Sequence, residues 1–297
     1  MQALSGAGLA VLALSFNAFT WGVSWWPFRQ LQAAGLHPLW ATVLIYSLAL
    51  LVITAWRPRA WGQLFRAPVL WVLVLASGTT NAAFNWGVTL GDVVRVVLLF
   101  YLMPLWAVLL ARSLLGERVT GIALLRVAMA LAGAMLVLAT GKAGDGSATF
   151  GLPVPSSLAE WLGVLGGFSF ALNNVMLRRE AERPAEARAL AMFLGGALVA
   201  GVLALSLQPG VPLPPAPAWP WVLGALGMGL WFLAGNLALQ YGATRLPANV
   251  TAVVMVSEVL FASVSAVALG AGSLGWALAA GGALIVGASL LSARSGH

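Results

Sequence analysis

Ten apolar blocks follow one another along this chain, each near the ~20 residues that carry a helix across a bilayer. They run at about 5–28, 38–56, 68–89, 93–112, 121–140, 157–177, 189–207, 219–241, 248–268 and 274–292. Only 8% of the 297 residues are charged and 61% are hydrophobic, against roughly 25% charged in an ordinary soluble domain. Too few polar side chains exist to cover a water-facing surface, so the chain reads as an all-α polytopic membrane protein. In hydrocarbon every backbone N–H and C=O needs a partner within the protein, which makes the helix the spanning unit. Breakers and polar residues collect between the blocks: Arg57-Pro58-Arg59, Gly141 to Gly146, Arg178 to Arg188 and the run Pro209 to Pro220. Proline lacks an N–H and clashes with the preceding turn, so that last run cannot continue a helix.

The cations give an orientation, because Lys and Arg accumulate on the cytoplasmic side of spans. With the N-terminus inside, Arg57, Arg59, Arg66, Arg112, Arg118, Arg126, Arg178, Arg179, Arg183, Arg188, Arg245 and Arg294 fall inside. Arg29, Arg95 and Lys142 fall outside. That is twelve against three of the fifteen basic residues, and it predicts ten spans with both termini inside.

The chain also repeats itself. Pro104 lies 154 positions before Glu258, and the same offset lays Leu115-Gly116 on Leu269-Gly270 and Gly133 on Gly287. One residue of slippage lays Asn81 to Gly87 on Asn236 to Gly242, with Asn on Asn, Trp on Tyr and Gly on Gly. The expected organisation is therefore two five-helix units, 1–145 and 146–297. Five is odd, so the second unit sits inverted relative to the first. Inverted repeats build many secondary transporters, with the substrate site near the midplane between them.

Polar side chains inside a membrane are costly and turn toward a bundle interior or a wet cavity. At helical spacing they form stripes: Asn17, Trp21, Ser24 and Phe28; Ser77, Asn81 and Asn85 beside Thr80 and Phe84; Ser169 and Asn173 beside Asn174; Phe232, Asn236 and Gln240; Thr251, Glu258, Ala262 and Ser265. The candidate substrate contacts are Asn17, Trp21, Thr80, Asn81, Phe84, Tyr101, Asn173, Trp231, Asn236 and Glu258. Each asparagine is as well suited to hydrogen-bonding a neighbouring helix as to touching a ligand. Glu258 is the one acid at the centre of a block. An ionised acid there costs roughly 2.5–3.5 kcal/mol even on the lenient insertion scale. It is expected to meet a substrate ammonium, couple protons, or hydrogen-bond a neighbouring helix. Pro104 is expected to act as a hinge. Glu117 and Arg118 stand at a helix end, where an acid suits the N-terminus of the next helix. Blocks five and ten carry Gly133, Gly281, Gly282 and Gly287, which suit close packing or a dimer contact. Trp25, Trp26, Trp56, Trp61, Trp219 and Trp276 near block ends suit an interfacial belt.

Several classes are disfavoured. There is no cysteine, and the two histidines, His37 and His297, are too few for a metal cluster. No phosphate-binding G-x-x-x-x-G-K-[ST] motif occurs, so ATP does not drive the protein directly. Glu258 has no carboxylate or histidine partner in the blocks, which argues against a catalytic constellation. The net charge of +7 is dispersed over short loops and does not suggest nucleic acid. No cofactor and no cleavable signal segment are expected.

With these residues in view, the chain resembles the drug/metabolite transporter superfamily, the ten-helix EamA-type exporters. The resemblance rests on the Pro104 helix with Leu115-Gly116-Glu117-Arg118, on Leu131-Ala132-Gly133-Ala134, and on Phe16 to Gly22 with its weaker echo Phe168 to Asn174. The second copy departs from that pattern, with Glu258 in place of a proline and Gly270-Ala271 in place of Gly-Glu. The string Tyr101-Leu102-Met103-Pro104 is similar to aromatic amino acid exporters of the YddG type. The resemblance implies a multi-pass inner-membrane exporter of small amphipathic metabolites working by alternating access, aromatic amino acids first, with other metabolites or cationic drugs as alternatives. The implied partners are a small-molecule substrate and membrane lipid, in a monomer or weak homodimer.

Overall fold

A computed structural model of the chain describes residues 6–90, 93–139, 155, 157–269 and 275–293. Fourteen α-helices occupy them: α1 (Gly6–Gly22), α2 (Trp25–Ala33), α3 (Pro38–Trp56), α4 (Arg59–Phe65), α5 (Leu70–Leu90), α6 (Val93–Phe100), α7 (Met103–Leu115), α8 (Gly121–Ala139), α9 (Leu158–Arg179), α10 (Ala185–Ser206), α11 (Trp219–Ala243), α12 (Ala248–Met255), α13 (Glu258–Ala268) and α14 (Trp276–Ala293). No strand occurs among the described residues. Gly270-Ala271 and the side chains of Asn85, Arg95, Lys142, Arg294 and His297 lie outside what is described.

Every apolar block contains a helix or an interrupted pair. Blocks one, four and nine are the pairs α1–α2, α6–α7 and α12–α13. Five helical stretches are long and apolar enough to cross a bilayer, or six if the bent pair α4–α5 counts as one. Helix α4 occupies a segment expected to be part of a polar connection, and the pair bends by 99° at its break. One boundary moves further. Arg188 was expected in a polar connection, but α10 begins at Ala185, after Pro184 at its N-cap. Proline cannot continue a helix but fits just before or inside its first turn, and Ala185-Glu186-Ala187 are good helix formers. Arg188 is thereby carried into the interior, only 5% exposed.

The ends of helices follow local chemistry. Ser157 accepts the Glu160 N–H at 3.3 Å, capping α9. Gly116 ends α7 at φ 69°, a left-handed conformation that costs glycine little. The interruption between α6 and α7 precedes Pro104, which sits in the first turn of α7. Because Pro104 has no N–H, the Phe100 carbonyl loses its helical donor. Helix α9 covers that carbonyl, and Gly167 permits it, since a β-carbon there would overlap the Phe100 oxygen. A similar interruption falls 155 residues later, at Val256-Ser257 before Glu258, without a proline. There Ser257 turns its hydroxyl back to the Val254 carbonyl at 2.7 Å.

Packing runs mostly between the two halves of the chain. Helix α5 lies along α9 and α10; α1 along α11, α12 and α13; α3 along α10 and α11; α7 along α9 and α12; α8 along α14. The closest approaches use glycine. Gly78 in α5 faces Gly195 in α10, and a β-carbon at Gly195 would overlap the Val74 carbonyl. In α8, a β-carbon at Gly133 would stand 2.6 Å from the Gly281 oxygen of α14. Small residues in such stripes let helices approach closely enough for dispersion to hold them.

These contacts give a first prediction. Gly195→Val is expected to cost about 1–3 kcal/mol or more through overpacking, read as a large drop in unfolding temperature in detergent. Gly227→Ala, where a β-carbon meets nothing within 4 Å, is expected to leave it unchanged.

Candidate functional site

Helices α1, α3, α5, α6, α9, α10, α11 and α13 enclose a cavity of about 80 Å3. Eight of the ten candidate residues line it: Asn17, Trp21, Thr80, Asn81, Phe84, Asn173, Asn236 and Glu258. Five come from the first half of the chain and three from the second. Tyr101 and Trp231 stand outside the lining. Tyr101 is buried edge-on behind Phe100, with ring centroids 5.9 Å apart. Trp231 packs edge-on to Phe16 and Phe19 at 5.5 and 5.9 Å. It faces a separate lateral groove with Val23, Trp26 and Leu223.

The amides are held by their neighbours. Asn17 donates to the Gly235 carbonyl at 2.8 Å, joining α1 to α11. Its Oδ1 has no partner among the described residues, and neither has that of Asn173. Two cavity-lining residues thus each hold a buried acceptor with no described donor. Asn81 accepts the Tyr46 hydroxyl at 3.0 Å and donates to the Ser77 carbonyl at 2.9 Å. Thr80 turns its hydroxyl onto the Ala76 carbonyl at 2.7 Å. Asn236 accepts from Gln240 at 2.8 Å and donates to the Met192 sulfur at 3.3 Å. Asn17, Asn81 and Asn236 therefore act both as glue between helices and as cavity lining.

Aromatic rings form most of the remaining wall. Phe84 and Phe100 meet edge to face at 5.0 Å, with Phe170 at 5.9 Å from Phe100. Trp21 lies edge-on to Phe232 at 4.5 Å, and Tyr46 edge-on to Phe193 at 5.1 Å. The sequence stripes pointed to Ser77 and Phe232. They did not point to Tyr46, Phe100, Phe170, Met192, Phe193 or Leu239, which also line the cavity. Tyr46 carried a usable signal, being a hydrogen-bonding ring in an otherwise aliphatic stretch. Met192-Phe193 carried none.

Glu258 is the only charged residue on the wall, and no Lys or Arg lines it among the described residues. It occupies the first turn of α13, where the Val259, Leu260 and Phe261 N–H groups bond back to the Val256 and Ser257 carbonyls across the break. Helix α1 crosses this turn at Gly22, whose β-carbon would stand 2.7 Å from the Glu258 carbonyl oxygen. Pro104 is buried in the first turn of α7. Glu117 takes a structural place, though on another helix than expected. It accepts the Ala248 N–H at 3.3 Å, capping α12 in the other half of the chain rather than α8. Among the described residues no cluster of His, Cys, Asp or Glu could hold a metal.

The apolar helices, five or six of them long enough to cross a bilayer, define a multi-pass helical membrane protein with an internal cavity lined by aromatic rings and amides. Residues 8–139, the run from α1 to the end of α8, match the EamA-like transporter family of the drug/metabolite transporter superfamily. A solved crystal structure, described only as that of a protein, superposes with a TM-score of 0.73 at 24% identity. It covers 96% of this chain and 98% of its own, a likeness of fold. No curated protein matches the chain.

Burial raises the Glu117 carboxyl above its usual range, partly opposed by the Ala248 N–H and by Arg178. An acid raised by folding stabilises the fold while protonated and loses that contribution as pH rises through its folded pKa. Glu117→Gln keeps the acceptor without the charge. Stability of the natural protein relative to Glu117→Gln is therefore expected to fall as pH rises above the ordinary glutamate pKa of ~4.3, measured by unfolding temperature. Glu117→Ala is expected to lose about 0.5–2 kcal/mol with the cap.

Proposed function

We propose that the chain is a secondary exporter of small amphipathic metabolites, aromatic amino acids first, working by alternating access in the bacterial inner membrane. The observation that carries this is the cavity, built from both halves of a chain whose first half matches a transporter family. In this reading the ten blocks are ten spans, with both termini inside and the second five inverted. The packing supports it: α1 on α11 answers α9 on α5, α1 on α12 and α13 answers α9 on α6 and α7, and α3 pairs with α10 as α8 pairs with α14. Exchanging the two halves leaves that pattern unchanged, as a pseudo-two-fold axis in the membrane plane requires.

The wall suits a zwitterion attached to a flat apolar group. Glu258 and the unpartnered oxygens of Asn17 and Asn173 accept from an ammonium. The rings give offset and edge-on surfaces to an aromatic side chain. At about 80 Å3, the cavity is smaller than the ~300–1,000 Å3 of a drug-sized site, so the walls part to admit such a ligand. The interruptions at Tyr101-Leu102 and Val256-Ser257 supply joints, with Pro104 as the hinge of the first. Glu258 would couple protons to the cycle by losing its proton when the ammonium arrives. The absence of a cation from the described wall favours one second reading, an organic cation held by Glu258 and the aromatic faces.

The test is flux into proteoliposomes of labelled phenylalanine, tryptophan and a quaternary ammonium cation. Uptake of the amino acids is expected. Glu258→Gln is expected to fold normally and to lower flux at least tenfold, or to flatten its pH profile. Flux of the cation alone would replace the amino acid reading. Unchanged flux of Glu258→Gln across pH 5–9 would remove Glu258 from the mechanism.

A further inference from the structure

Arg188 lies inside α10 and has no part in the cavity wall. Its guanidinium donates to the main-chain oxygens of Glu180, Ala181 and Arg183 at 2.8, 2.6 and 2.9 Å. Those three contacts are made by Nη1, and Nε donates to the Gln240 side-chain oxygen at 3.2 Å. Gln240 Nε2 then donates to Asn236 Oδ1 at 2.8 Å, and Asn236 Nδ2 reaches the Met192 sulfur at 3.3 Å. Arg188, Gln240 and Asn236 are 5%, 2% and 9% exposed, which leaves water little room to replace a partner.

The direction of this chain is fixed at one end. An amide side chain can turn over and exchange its oxygen for its nitrogen, and its sense follows from its partners. Guanidinium has five N–H donors and no acceptor. Facing it, Gln240 must present oxygen, so its nitrogen must face Asn236. Asn236 must then accept with Oδ1, which leaves Nδ2 as the atom it can offer the cavity. Met192 is pinned beside it, because the Ser77 hydroxyl donates to the Met192 carbonyl at 3.1 Å. Thioether sulfur is a weak acceptor, so a carboxylate oxygen would displace it readily.

We propose that Arg188 is a positioning residue for specificity: through Gln240 it holds the Asn236 amide with its N–H toward the cavity, as the donor that receives a substrate carboxylate. This rests on the transport reading above. It gives the wall an N–H donor of fixed sense for an anionic group where, among the described residues, no Lys or Arg is present. The acceptors at Glu258, Asn17 and Asn173 then take the ammonium, and Asn236 takes the carboxylate.

The probes are phenylalanine and phenethylamine, which differ by the carboxylate. In proteoliposomes, competition against labelled phenylalanine gives the ratio of their apparent affinities. A hydrogen bond to a charged group sets a preference of about tenfold or more for the natural protein. Arg188→Lys, still donor-only, is expected to retain most of it. Arg188→Gln is expected to erase it, because a neutral amide no longer dictates the sense of Gln240. Gln240→Glu is nearly isosteric and accepts on both oxygens. Asn236 must then donate to it, turning Oδ1 to the cavity, and the ratio is expected to invert toward the amine. Unfolding temperatures of the three variants separate a lost fold from a lost preference. An unchanged ratio in Gln240→Glu, or equal ratios in Arg188→Lys and Arg188→Gln, would overturn the inference and leave transport standing. Uptake of neither probe by the natural protein would overturn both.

Discussion

A carbonyl released from its helix inside hydrocarbon must be covered by protein, because lipid offers no donor and an exposed one costs several kcal/mol. Two of the interrupted pairs here, α6–α7 and α12–α13, break deep in the apolar blocks, and both breaks lie against other helices. Gly167 brings α9 onto the Phe100 carbonyl, and Gly22 brings α1 onto the first turn of α13. Each break in one half of the chain is thus covered by a helix of the other half. The irregular backbone at these breaks is what obliges the two halves to pack together. That is also why the strongest packing runs between the halves and not within them.

The same constraint places the polar residues. Polar side chains that could not face lipid bond to the backbones of neighbouring helices instead, as the Asn17 amide does with Gly235 and the Ser77 hydroxyl with Met192. Interhelical hydrogen bonds of this kind average about 0.6 kcal/mol in membrane proteins, too little to account for the fold by themselves. Close packing at Gly78, Gly195 and Gly133 carries more of it. What the amides contribute is a wall whose donors and acceptors have fixed positions. Glu258 joins that wall from the first turn of α13.

The sequence made much of this legible. Apolar length gave the helices, and the cost of burying polar groups gave the stripes, so that Asn17, Asn81, Asn173 and Asn236 fell on one cavity. The two candidates that stand off the cavity differ from its lining by phase. Trp231 precedes Phe232 by one residue, a turn of about 100° on a helix. It was Phe232, in line with Asn236 and Gln240, that reached the cavity while Trp231 faced outward. Tyr101 and Phe100 differ in the same way at the end of α6, where the coming break hides the phase. Met192-Phe193 could not be found, since apolar wall and apolar core look alike in a sequence. Arg188 looked like a solvent-facing cation because nothing local reveals the carbonyls of a turn folding back on it.

The central claim is that the cavity between the halves opens to either face of the membrane in turn. The chain has no cysteine, so one placed at Ser77, on the wall, is the only thiol in the protein. In sealed vesicles a membrane-impermeant thiol reagent should modify it from the outside and, when trapped within, from the inside as well, with substrate slowing both reactions. Modification from one face alone, or at rates indifferent to substrate, would contradict the account.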